Sequence, residues 1–229
     1  MNFKSLTLIC TAALMLCILL PSCSNTSGDS AYARYEAYDR PATLPTKRSK
    51  VRVKVSLRNQ MAYVMEGSKP LLIMPVTVGR SRTPTPKGNF RIHRKKHYHR
   101  AFTHGYAISP SGNRIIPCYL RNKPRGWTFK GTPMPYWCEF KSAYGFHTGW
   151  MKPFPASHGC LRMHKNVSPK FFHLVSHGTP VNISYSQPED ATIGLNIPRP
   201  PDSTPFPGNP ASMMVTNRFF TLHKIPTYN

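Results

Sequence analysis

Acidic side chains are scarce in this chain: 8 Asp and Glu stand against 31 Lys and Arg in 229 residues, a formal net charge of +23. A balance of that sign points to a polyanionic partner, either nucleic acid or an anionic surface. A long hydrophobic run is also missing. The longest stretch, Leu6 to Leu20, has 15 residues, too short for a membrane span and right for the apolar core of a signal peptide. Cysteine is sparse, with six in all. No Cys or Asp joins His93, His97, His99 and His104 at metal-ligand spacing. Arg94, Lys95, Lys96 and Arg100 lie among those histidines and would repel a cation, so neither metal nor cofactor is expected.

The N-terminus narrows the partner. One charge at Lys4 precedes the apolar run, and Leu20-Pro21-Ser22-Cys23 follows it. That tetrapeptide resembles a bacterial lipobox, which implies removal of residues 1–22 and a lipid on Cys23; an ordinary signal peptide cut nearby is the alternative. Export argues against nucleic acid. It leaves peptidoglycan stem carboxylates and phosphorylated head groups as the anions a basic chain would meet. A basic surface that serves only solubility or retention is the other reading.

Export also sorts the cysteines. Cys10 and Cys17 leave with the signal peptide and Cys23 carries lipid, so Cys118, Cys138 and Cys160 remain. In an oxidising compartment a Cys118–Cys138 bridge would close a loop of about 20 residues, worth on the order of 3 kcal/mol, and leave Cys160 free. The alternative is three free thiols.

Cys160 lies in the segment richest in chemistry. His147 is followed by a Gly/Pro-rich loop and then Ser157-His158-Gly159-Cys160. A thiol with a pKa near ~8.5 is only slightly ionised at neutral pH and needs a base beside it. His147 and His158 are both candidates. Gly159 permits a sharp turn, and consecutive N–H groups at such a turn can receive an oxyanion. A buried Cys beside incidental histidines is the bland alternative.

Ser-His-Gly-Cys-Leu-Arg-Met after Gly-Phe-His-Thr-Gly closely resembles the signature of the L,D-transpeptidase family, with its YkuD-like catalytic domain. Thr83-Pro-Thr-Pro-Lys-Gly-Asn-Phe90 and Met134-Pro-Tyr-Trp137 resemble further stretches of the same family. The resemblance implies a mainly β, sandwich-like catalytic domain with a short helix after the catalytic motif. It implies a peptidoglycan stem peptide as substrate and acyl transfer through a thioester. Cys160 would be the nucleophile and His147 the general base and acid, oriented by the backbone carbonyl of Thr148. His158, Gly159 and Cys160 would supply the oxyanion hole. Arg162 would bind a substrate carboxylate or brace the loop, and Ser157 would stabilise the loop. The acceptor stays open among a stem amine, a lipoprotein lysine and water. A non-catalytic peptidoglycan-binding lipoprotein is the reading from another class. The protein is expected to be a monomer without a nucleic-acid partner, exported to the cell envelope and lipid-anchored in the periplasm.

The chain divides accordingly. Residues 1–22 read as signal peptide and 23–49 as a lipidated tether poor in apolar periodicity. Residues 50–185 form the catalytic domain and 186–229 a Pro-rich tail in which no packed core is expected, although Met213 to Leu222 could dock. Within the domain, Val51, Val53, Val55 and Leu57 alternate with polar residues as in a half-buried strand. Strands at 61–65 and 71–78 complete a meander, Pro75 marking an edge or bulge. Strands follow at 90–93, 134–140, 144–147 and 179–185, with a helix from Ser168-Pro169 to Gly178. Residues 97–131 read as an insertion or long loop with a hairpin turn near Ser109–Arg114.

Overall fold

The computed structural model describes residues 27–202 and 210–229. The expected signal peptide and the expected lipidation site Cys23 lie outside the described residues. Among those described there are twelve strands in three sheets. Val51–Ser56 (β1), Met61–Glu66 (β2) and Lys69–Pro75 (β3) form the meander. Val53 and Val55 are buried while Arg52 and Lys54 are not, as the alternation requires. Pro180–Ser184 (β12) lies parallel to β1, and Gly88–Arg91 (β4) closes the far edge, giving the order β3-β2-β1-β12-β4. β3, with Pro70 and Pro75, occupies the other edge, where missing N–H donors cost least.

The second sheet carries the candidate residue His147. Its order is β11 (Leu161–Met163), β10 (Tyr144–Thr148), β9 (Trp137–Lys141) and β5 (Arg94–Lys96). Val53, Val55, Val64 and Ile183 from the first sheet pack with Phe140, Phe146, Leu161 and Met163 from the second. Phe171 and Leu174 of the helix Ser168–Leu174 (α2) join them, so the core sits between two sheets under a short helix. Ser168 is the first residue of α2, and its Oγ donates to His164 O (2.8 Å) rather than capping the helix.

The segment 97–131 is mostly sheet. β6 (Arg100–Ile108) pairs with β7 (Ile115–Tyr119) and β8 (Thr128–Pro133) in a third sheet. The expected hairpin turn is present: Ser109 N–H donates to Arg114 O and Gly112 N–H to Ser109 O.

Both flanks are docked. The expected tether forms the helix Ser27–Ala37 (α1), and Tyr35 is 2% exposed. Its ring stacks on Trp150 at 3.8 Å, its hydroxyl accepts from Met151 N–H (3.2 Å) and its carbonyl accepts from His164 Nε2–H (2.8 Å). Lys170 Nζ holds Asp39 and the Arg40 carbonyl, and Ala42 bridges to Leu72. The tail is likewise packed. Ile193 and Ile197 cover Met61, Tyr63 and Met65 on the outer face of β2, which is why β2 is buried on both sides. Phe219 and Phe220 are buried further along.

Candidate active site

The turn that carries Cys160 is built by side chain to backbone bonds. Ser157 Oγ donates to Cys160 O (2.5 Å) and accepts from Gly159 N–H (3.0 Å). Thr85 Oγ1 donates to Gly159 O (2.9 Å) and accepts from Gly79 N–H (2.9 Å). Thr83 Oγ1 donates to Ser157 O (3.1 Å). The Thr-Pro-Thr-Pro loop, stiffened by its prolines, therefore grips the Cys160 turn from outside. Gly159 has φ +111°, and a Cβ there would come within 2.6 Å of the Tyr144 ring. Glycine is thus required twice, by the backbone and by the neighbour. The Gly159 N–H, expected in the oxyanion hole, is instead committed to Ser157 Oγ.

Cys160 Sγ faces the β9–β10 turn, where the thiol lies 3.6 Å from the Ala143 carbonyl. Burial pushes its pKa up to about 11, only partly offset by the Gly145 N–H and the Arg162 charge.

His147 is on β10, one strand over from β11, and is 8% exposed. Its Nδ1 is 2.8 Å from Thr148 O. A carbonyl can only accept, so Nδ1 carries the proton and Nε2 keeps its lone pair. Burial depresses the His147 pKa to about 3, with the Thr148 bond opposing and Arg162 reinforcing the shift. Both shifts favour the neutral forms, a thiol and an imidazole, over a thiolate–imidazolium pair.

The other expected site residues have distinct places. His158 is exposed at the rim; its Nε2 accepts from Arg80 Nη2 (3.0 Å) and lies 3.2 Å from Tyr119 Oη, with the His104 ring at 5.0 Å. Its side chain is thereby occupied away from the role of base. Arg162 Nη2 donates to Ala156 O (3.1 Å) and Nη1 to Trp150 O (3.5 Å), so the guanidinium braces the loop between His147 and Cys160. Cys118 and Cys138, expected either bridged or free, are both free thiols. Cys118 is on β7 in the third sheet, whereas Cys138 is fully buried in β9 of the second, with its pKa pushed up to about 12 by burial. The four histidines between 93 and 104 diverge: His93 faces Glu139, His97 lies against Phe172, His99 stacks on Trp137 and His104 meets His158.

Cys160, His147, Thr148, Ser157, His158 and Arg162 share one cavity of about 430 Å³. Sequence reasoning missed part of its wall. His104, Tyr106 and Thr132 come from the third sheet, and Met214 and Phe219 come from the tail. The unusual length of the insertion was the available signal for the former. Phe219-Phe220 within a polar, Pro-rich stretch was the signal for the latter.

A family model described as the L,D-transpeptidase (YkuD) catalytic domain matches residues 50–183. No curated protein sequence matches the chain. Among solved structures, an L,D-transpeptidase from Stackebrandtia nassauensis is 21% identical, with 71% of this chain and 68% of that one covered and a TM-score of 0.44. An L,D-transpeptidase from Mycobacterium smegmatis is 16% identical, with 59% and 58% covered and a TM-score of 0.44. The catalytic domain of an E. faecium L,D-transpeptidase is 24% identical, with 58% and 96% covered and a TM-score of 0.41.

Proposed function

Since the chain belongs to the L,D-transpeptidase (YkuD) catalytic-domain family, we propose that it is a peptidoglycan L,D-transpeptidase in which Cys160 is acylated by a tetrapeptide stem. The observation that carries this reading is the His147 tautomer: Nδ1–H is fixed on the Thr148 carbonyl, which leaves Nε2 as a base in the cavity that holds Cys160.

Because both groups rest neutral, the proton moves as the bond forms. Cys160 Sγ attacks the carbonyl of the third stem residue while His147 Nε2 takes the thiol proton. The C–N bond to the terminal D-amino acid breaks, its nitrogen receives that proton, and a thioester remains. An acceptor amine then attacks the thioester, gives its proton to Nε2 and forms the new amide. The proton returns to sulfur. The N–H groups of His158 and Cys160 are the oxyanion donors in this reading, with Gly159 N–H holding the turn. Arg162 keeps the intervening loop in shape. The basic chain meets the anionic polymer outside the cell membrane, held there by lipid on Cys23, as a monomer and without nucleic acid. Among the described residues no helix is long and apolar enough to cross a membrane.

The test incubates the chain with a disaccharide tetrapeptide and reads products by mass spectrometry, with Cys160→Ala and His147→Ala alongside. A crosslinked dimer short of one D-amino acid is expected, abolished in Cys160→Ala and reduced by orders of magnitude in His147→Ala. Tripeptide alone means that water is the acceptor, an L,D-carboxypeptidase. Transfer only onto an added lipoprotein lysine means an anchoring enzyme. Unchanged substrate in every sample leaves a non-catalytic peptidoglycan-binding lipoprotein.

A further inference from the structure

The carbonyl that holds His147 belongs to Thr148, the last residue of β10. The backbone around it is pinned: Thr148 N–H donates to Pro135 O (2.9 Å) and Gly149 N–H to Met163 O (3.0 Å). The Thr148 side chain is 4% exposed for the residue as a whole, and its Oγ1 lies 2.9 Å from His223 Nε2. His223 lies well beyond residue 183, where the matched catalytic domain ends. Its ring packs edge-on against Tyr136 at 4.7 Å.

The segment that delivers His223 is anchored. The helix Ala211–Met214 (α3) and the turn after it are held by Arg100, whose guanidinium donates to Met214 O (2.9 Å) and Thr216 O (2.6 Å). Buried Phe219 and Phe220 fix the next turn, and Met214 and Phe219 line the cavity of Cys160.

We propose that His223 is a positioning residue: by holding the Thr148 hydroxyl it keeps the Thr148 carbonyl dedicated to His147 Nδ1–H and so fixes the imidazole with Nε2 as the base. The proposal rests on the reading of His147 as the general base. The physical reason is competition. A buried threonine hydroxyl without its partner costs free energy until it finds another acceptor. Threonine hydroxyls readily turn onto nearby backbone carbonyls, and the carbonyl that His147 uses belongs to the same residue. The C-terminal segment would thus supply the active site with both a wall and a hydrogen bond from outside the family domain.

The test compares the full chain with His223→Ala and with His223→Gln, whose amide can still meet the hydroxyl. Nitrogen-15 NMR reads the His147 tautomer without requiring turnover. Intact mass reads thioester formation on Cys160 with the tetrapeptide, and thermal unfolding is followed in parallel. The expected result is one Nδ1–H tautomer in the parent and a mixture in His223→Ala. The maximal acylation rate should fall about tenfold with KM within about twofold, and His223→Gln should recover most of it. A single tautomer and parental rate in His223→Ala overturns the proposal. So does an equal loss in both variants that only follows a lowered Tm. If the parent leaves the tetrapeptide untouched while the tautomer still depends on His223, the positioning stands and the transpeptidase reading falls.

Discussion

At the scale of single residues, burial sets the character of the candidate catalytic pair. Cys160 is pushed up to about 11 and His147 down to about 3, both chiefly by burial. Each shift favours the neutral form, so ion-pair formation in the resting site is opposed from both ends. A thiolate prepared in advance would react with iodoacetamide at a rate already level at neutral pH. Here the rate of Cys160 alkylation should keep rising from pH 7 to pH 10, following the thiolate fraction of a group near 11. A rate that is flat across that range, with thiolate absorbance at neutral pH, would contradict the neutral pair. Reading residues alone brought forward Cys160 with both His147 and His158 as candidate bases, and the family resemblance singled out His147; all three line one cavity with Ser157. Such reading could not reach the protonation state, which depends on what is packed over the two groups. Nor did it foresee that Gly159 N–H serves Ser157 Oγ, since that depends on how the turn closes.

At the scale of elements, the strands were legible wherever one face is wet. β1 alternates cleanly, and the meander, β9, β10 and α2 lie where the pattern puts them. Elements whose partners are far away in sequence were not. Tyr32, Tyr35 and Tyr38 show helical spacing, yet the spacing does not reveal that Tyr35 meets Trp150 and that Tyr35 and Tyr38 both meet His164. The prolines after Gln187 keep regular structure to short turns of helix but do not prevent docking, and Ile193 and Ile197 cover β2 without forming a strand or α-helix. The docking of α1 has a consequence for the loop between His147 and Cys160. Tyr35→Ala removes a stacked, buried ring and leaves the Met151 N–H without its acceptor. It should cost about 3–5 kcal/mol in urea unfolding, whereas Tyr35→Phe should cost about 1–3 kcal/mol for the orphaned donor. Proteolysis within residues 149–156 should quicken in Tyr35→Ala. A stability equal to that of the parent would mean that α1 adds nothing to the domain.

At the scale of the whole molecule, the scarcity of carboxylates changes what acid does to the fold. Most proteins lose stability at low pH as paired carboxylates take up protons, but this chain has 8 Asp and Glu in total. Its buried histidines take that part instead. His147 is held near 3 and His164 near 4, each chiefly by burial, against an ordinary histidine value of 6.5. His164 is 1% exposed, with Nε2–H donating to Tyr35 O and Nδ1 accepting from Asn166 N–H, so both ring nitrogens are committed in the neutral form. Above pH 6.5 neither chain state binds a proton at these sites and the full stability is present. Between 6.5 and about 4 the unfolded chain is protonated while the folded one is not, so stability falls as pH falls. At pH 5 the loss is about 2 kcal/mol per buried histidine, or about 4 kcal/mol for the two together, a large part of the roughly 5–15 kcal/mol that holds a domain together. Urea midpoints measured at pH 7.5, 6 and 5 should therefore descend steeply. His164→Gln should start lower at pH 7.5 and descend less, because one of the buried titrating groups is gone. Midpoints that hold level from 7.5 to 5 would mean that both histidines are protonated within the fold, and His147 could not then rest as the neutral base the mechanism needs.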